Sequence, residues 1–219
     1  VRYDLAMAKA SEEVINVANR QYLHDLITNH VSGRLKVAPE HTADSVLDIM
    51  RKPSFSQFIR FKKIFDTVNE KKGLRQQLIP YFISSHPGCR EIDMAELAVE
   101  TKNLDFHLEQ VQDFTPTPMT VATEIYYSGV HPYSGKKIFT ARSEKEKAAQ
   151  RRFFFWYKPE ARREIVNELR KLHRPDLIPK LYPGGFPGIA GYKKDSPFTD
   201  SNRIRISSRK NKSSRKKSK

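Results

Sequence analysis

The chain has 219 residues, with 40 Lys and Arg against 25 Asp and Glu, a net charge of +15 and a single cysteine. That length suits one domain, or one and a half. One cysteine excludes a disulfide framework and fits a reducing compartment, so a cytoplasmic protein is expected. No apolar run is long enough to span a bilayer and no signal peptide is read, so no membrane is expected among its partners. The charge is uneven: nine basic residues and no acidic one lie between Arg203 and Lys219, leaving +6 for the rest. Such a tail buries too little apolar surface to fold; it is either solubilising or a handle for polyanions such as RNA.

The chain begins at Val1, and "VRYDLA" reads as the end of a strand, which suggests a piece of a longer protein. Residues 11–31 carry Val14, Ile15, Val17, Ala18, Tyr22, Leu23, Leu26 and Ile27 at helical spacing. "RLKVAPE" is a short strand that Pro39 ends. Thr42 is placed to cap a helix bearing Val46, Leu47 and Met50, which Pro53 breaks. From Ser54 or Ser56 a longer helix follows to Gly73, with Phe58, Phe61, Ile64, Phe65 and Val68 as its buried face. "QQLIPYFISS" is apolar nearly throughout, as a strand covered on both faces should be. A helix to about Asn103 and a third strand, "DFHLEQVQDF", complete an alternation that predicts βα units with parallel strands. After Thr117 an irregular Pro-, Thr- and Tyr-rich stretch gives way to two charged helices, about 144–157 and 159–172, and a loop into the tail.

In parallel α/β folds, ligands sit beyond the carboxyl ends of the strands. Three such ends are polar here: Glu40-His41-Thr42, Ser84-Ser85-His86 and Gln112-Asp113. Each also has a bland use, since serines and a Pro-Gly pair serve any tight turn. Cys89 sits near a helix start, which can lower a thiol pKa, yet a lone cysteine is more often inert. The seven histidines show no metal-ligand spacing, and no Walker loop, G-x-G-x-x-G or G-x-S-x-G occurs. No metal ligand is therefore assigned, and the catalytic residues are left unknown. The run Phe153-Phe154-Phe155-Trp156-Tyr157 is either a stacking platform for bases or, more in keeping with its size, a buried helix face.

The segments "HVSGRLKVAPEHT", "VLDIMRKPSF", "LIPYFISSHPGC", "DMAELA" and "QVQDFTPTPMTVAT" closely resemble the YgiQ family of radical S-adenosylmethionine proteins, over about residues 1–180. Their order also parallels the wider superfamily, especially methylthiotransferase-like barrels, where a "GFPGE" turn stands in the place of Ser85-His86-Pro87-Gly88-Cys89. The resemblance implies a partial TIM-like (β/α) barrel that binds a [4Fe-4S] cluster and S-adenosylmethionine, releasing a 5′-deoxyadenosyl radical that abstracts hydrogen from a substrate. In this superfamily three cysteines of a C-x-x-x-C-x-x-C loop after the first strand hold the cluster. Cys89 alone cannot replace them, so the cluster ligands are expected upstream.

On this resemblance the fold class is α/β: residues 1–125 are the C-terminal half of the radical SAM barrel. Residues 126–195 are an irregular and helical extension packed on it, and 196–219 a disordered basic tail. "VRYDLA" becomes the end of the third barrel strand and "ISSHPGC" the mouth of the fifth. Glu40 and His41 are expected to hydrogen-bond the ribose or methionyl group of the cofactor, Ser84 and Ser85 to edge the adenine, and Gln112 and Asp113 to lie nearer the substrate, whose identity is unknown. The chain alone is expected to be inactive. The rival reading is a non-enzymatic RNA-binding module, drawn from the tail and from Arg151-Arg152 beside the aromatics.

Overall fold

A computed structural model describes residues 3–7, 13–108 and 111–185. The chain divides into a compact unit, Val1–Pro183, and a second, Gly184–Lys219. The expected basic tail lies outside the described residues.

A helical turn, α1 (Tyr3–Ala6), precedes α2 (Glu13–Asn29), β1 (Arg34–Glu40), α3 (Asp44–Ile49), α4 (Phe55–Lys72), β2 (Gln77–Ser84) and α5 (Glu91–Asn103). There follow β3 (Gln112–Asp113), α6 (Val121–Ser128), α7 (Glu144–Arg151), a 3-10 turn (Arg152–Phe155), α8 (Pro159–Lys171) and α9 (Leu177–Leu181). The strands form one parallel sheet in the order β1-β2-β3. Arg34 pairs with Gln77 and Glu40 with Phe82, across an irregularity between Val37 and Glu40. Ile83 pairs with Gln112 and Ser84 with Asp113. This mixed α/β arrangement follows from the alternation of apolar runs.

Strand alternation divides the sheet into two faces. Leu35, Val37 and Pro39 of β1 and Leu78, Pro80, Phe82 and Ser84 of β2 are buried. Against this side α4 presents Phe55, Phe58, Phe61 and Phe65, with the Phe55 ring 6.3 Å from Phe82. The opposite side, with Lys36, Ile79 and Tyr81, opens on a cavity of about 670 Å³. Helix α4 starts on Ser54, whose hydroxyl accepts from the Ser56 N–H, and stops at Gly73 in the left-handed region, φ 64°.

Several expectations change. Tyr3–Ala6 is helical, not the end of a strand, because Tyr3 is buried with its ring 5.3 Å from Phe61 and 5.9 Å from Phe58. The third strand shrinks to Gln112–Asp113. Its earlier residues are used elsewhere: the Phe106 N–H donates to the Thr101 carbonyl to end α5, and the Leu108 carbonyl accepts from the Tyr157 hydroxyl at 2.7 Å. Ala43, not Thr42, occupies the N-cap of α3, and the Asp44 carboxylate instead accepts from the Phe55 N–H and Ser54 hydroxyl at the start of α4. The irregular stretch after Thr117 contains α6, capped by the Thr120 hydroxyl. Ile64 is 37 % exposed, and among the described side chains of α2 only Leu23 and Ile27 are buried, leaving Ile15, Val17 and Tyr22 exposed.

The register of α4 is testable by chemical denaturation. Phe58→Ala, which empties a fully buried site, should cost about 3–5 kcal/mol. Ile64→Ala should cost under ~1 kcal/mol. Equal losses would return Ile64 to the core.

Candidate functional site

Parallel pairing carries the three polar strand ends to one edge of the sheet. Two residues there depart from ordinary backbone geometry: Glu40 has φ 69° and Ser85 φ 61°. A side chain in the left-handed region costs about 1–2 kcal/mol, so surrounding contacts must hold both residues there. Glu40 Oε1 lies 3.3 Å from Lys52 Nζ, while its buried Oε2 has no partner. Ser85 is wholly buried, and its Oγ has no partner either. Buried polar atoms left unpaired cost free energy, and they mark positions where a further group can bond.

The remaining predicted residues are satisfied within the chain. The Ser84 hydroxyl donates to the Asp113 carboxylate, which also receives the Arg151 guanidinium. Next to them the Tyr81 hydroxyl donates to Gln112 Oε1. Burial, and secondarily the Glu40 charge, raises the Tyr81 pKa. The Ala43 N–H donates to His41 Nδ1 at 2.9 Å, so the neutral ring carries its proton on Nε2, 3.4 Å from Cys89 Sγ. Both ring nitrogens are thus engaged inside the protein, and His41 is fully buried. Burial, helped by neighbouring His86, pushes the His41 pKa down to about 3, and burial pushes His86 down to about 4. Burial likewise pushes the Cys89 thiol up, so the inert reading of this cysteine fits its setting.

Sequence reasoning missed the residue that fixes the turn. Gln150, buried on α7, accepts from the Ser85 N–H through Oε1 and donates through Nε2 to the Cys89 carbonyl, each at 2.8 Å. The Gly88 N–H donates to the Phe139 carbonyl at 2.8 Å, and the Phe114 ring meets His86 edge-on at 4.8 Å. Gly88 has φ 89°, and a Cβ there would lie 2.3 Å from Ile49 Cδ1. A signal for Gln150 existed in "SEKEKAAQRR": a capping box, Ser143 with Glu146, opens the helix, and two alanines precede its one uncharged polar residue.

Phe153, Phe154 and Trp156 are buried, with Trp156 Nε1 donating to Thr101 Oγ1 at 3.2 Å, so the aromatic run is packing rather than a stacking platform. The Arg152 guanidinium faces Glu168 at 3.0 Å. Among the described residues no group of three or more His, Cys, Asp or Glu could hold a metal ion. With one cysteine in the chain, a cluster needing three thiolates does not fit these residues. No helix among the described residues is long and apolar enough to cross a membrane.

Fold and site together define a mixed α/β protein with a polar, partly unsatisfied carboxyl edge on a small parallel sheet. The chain belongs to the family described as "Domain of unknown function (DUF3362)", whose model matches residues 109–218. It is 68% identical over 182 residues to a UPF0313 protein of Bacteroides thetaiotaomicron, covering 83% of this chain and 29% of the relative. It is 60% identical to a UPF0313 protein of Porphyromonas gingivalis over the same shares, and 44% identical to one of Methanosarcina acetivorans, covering 81% of this chain and 23% of the relative. UPF0313 is the YgiQ-like family that the motifs resemble. The chain spans less than a third of the length of these curated relatives. No solved structure matches it.

The two buried histidines set a pH dependence. Their folded pKa values lie below the unfolded 6.5, so on acidification the unfolded chain takes up protons first. Stability is complete above about pH 6.5 and falls as pH drops toward 4, by on the order of 2 kcal/mol per histidine at about pH 4.5. In His41→Asn the amide oxygen can still accept from Ala43 while the titrating group is gone. Urea midpoints at pH 7 and 4.5 should therefore differ less in His41→Asn than in the parent. An unchanged difference would show that His41 is not the neutral buried group described.

Proposed function

We propose that this chain forms the late strands of a partial TIM-like radical S-adenosylmethionine barrel whose substrate is unknown, and that the carboxyl edge of β1, β2 and β3 contributes to its cofactor pocket. The observation that carries this reading is the pair of buried, unpartnered atoms at that edge, Glu40 Oε2 and Ser85 Oγ. A carboxylate oxygen without a donor suits an ammonium or ribose hydroxyl, and a buried hydroxyl suits the polar rim of a purine. When bound, such a cofactor would supply radical hydrogen-abstraction chemistry.

The chain's own part is binding and orientation. Glu40 is held by Lys52 with its second oxygen unpartnered, and Ser85 combines a left-handed backbone with a buried, unpartnered hydroxyl. Tyr81 and Gln112 are bonded to each other, and on this reading Gln112 and Asp113 would lie nearer the substrate. Cluster ligands do not come from these residues, because Cys89 is buried against His41. The nine basic residues of Arg203–Lys219 support a second reading, salt-sensitive RNA binding through the tail, which their removal would abolish.

The test uses the full-length protein, anaerobic and with its cluster rebuilt. Glu40→Gln keeps the shape and removes the charge, and should weaken S-adenosylmethionine binding roughly fivefold, about 1 kcal/mol. Cys89→Ala should leave iron content and cofactor cleavage intact. Iron lost in Cys89→Ala, with binding unchanged in Glu40→Gln, would overturn the assignment.

A further inference from the structure

The family model at residues 109–218 covers a domain to which no function is assigned. Three parts of that domain close on one five-residue turn. The Gln150 amide spans its ends, accepting from the Ser85 N–H and donating to the Cys89 carbonyl. The Phe139 carbonyl takes the Gly88 N–H in its middle, and the Phe114 ring covers His86. Ser85 is the residue whose left-handed backbone is strained and whose buried hydroxyl is unpartnered. A strained residue persists only where its surroundings over-determine it. The Gln150 amide grips the Ser85 backbone directly, and Gln150 is 1 % exposed.

We propose that Gln150 is a positioning residue: the part of this domain that carries Phe114, Phe139 and Gln150 braces the Ser85–Cys89 turn and so aims the Ser85 hydroxyl at the ligand. This rests on the reading of the strand edge as a cofactor pocket. Two bonds from one planar amide fix both the distance between the turn's ends and the orientation of the Ser85 peptide, which a single contact would leave free to rotate. Relaxation of Ser85 out of φ 61° would turn its side chain away from the edge while the strand stays in register. The domain therefore acts on affinity through geometry, without touching the ligand.

Two measurements on the full-length protein with its cluster rebuilt test this. Hydrogen exchange of the segment 84–90, read without ligand, should speed up in Gln150→Leu. S-adenosylmethionine affinity should fall at least tenfold in the same variant. Gln150→Met, which keeps the side chain's length and removes both bonds, should match Gln150→Leu in exchange and affinity. It carries the test if Gln150→Leu does not fold. Ile165→Val, in the core of α8, should lower the melting temperature and leave affinity unchanged, which separates positioning from general destabilisation. Unchanged exchange would overturn the brace. Faster exchange with parent-like affinity would reduce Gln150 to a stabilising contact and overturn the positioning role. A parent protein that binds no S-adenosylmethionine would instead sink the pocket reading beneath it, a failure visible before any variant is made.

Discussion

Parallel pairing of β1 with β2, from Arg34 opposite Gln77 to Glu40 opposite Phe82, decides where every polar residue of interest ends up. Because the strands run in the same direction, their carboxyl ends share an edge and their helices must cross on one side. The phenylalanines of α4 take that side. The strand ends are then carried past the apolar layer to a rim where Glu40, Ser85 and Asp113 collect. A one-residue slip would exchange the two faces of β2 and move Phe82 and Ser84 out of the covered layer.

The rim is divided between satisfied and unsatisfied groups. Asp113 has two partners, Ser84 and Arg151, and His41 has two, Ala43 and Cys89. These bonds neutralise or neutral-pair what burial would otherwise penalise. Glu40 and Ser85 differ: both are twisted into a conformation that favours glycine, and each keeps one buried oxygen without a donor or acceptor. Strain and missing partners coincide at these two residues, which is why the proposed pocket is placed there.

Much of this was legible in the residues. The period of the phenylalanines in α4, the breaks at Pro53 and Gly73 and the unbroken apolar run of β2 gave the order of elements, because each is a local property of the chain. Local reasoning failed where distant residues compete for the same backbone. "DFHLEQVQDF" has strand-forming side chains, yet Thr101 and Tyr157 claim Phe106 and Leu108 first. The stripe on α2 reads as a core face, and among its described side chains it is one only at Leu23 and Ile27. Gln150 escaped because the groups it bonds lie 65 and 61 residues away, and no periodicity reports a contact of that kind. Ser84, Ser85, Gln112 and Asp113 are singled out by position alone; which of them bond one another depends on a register that sequence spacing does not give.

The setting of Cys89 has a practical consequence. It is the only thiol among 219 residues, fully buried, with its ionisation suppressed and its sulfur facing His41. An alkylating reagent at neutral pH meets neither an accessible sulfur nor a thiolate. The native chain is therefore chemically silent toward maleimides, and a cysteine introduced at an exposed site such as Ser128 or Lys145 would be the single point of attachment for a dye or spin label. Within these 219 residues no other cysteine competes, and Cys89 would react only when the core opens, reporting unfolding by its own labelling.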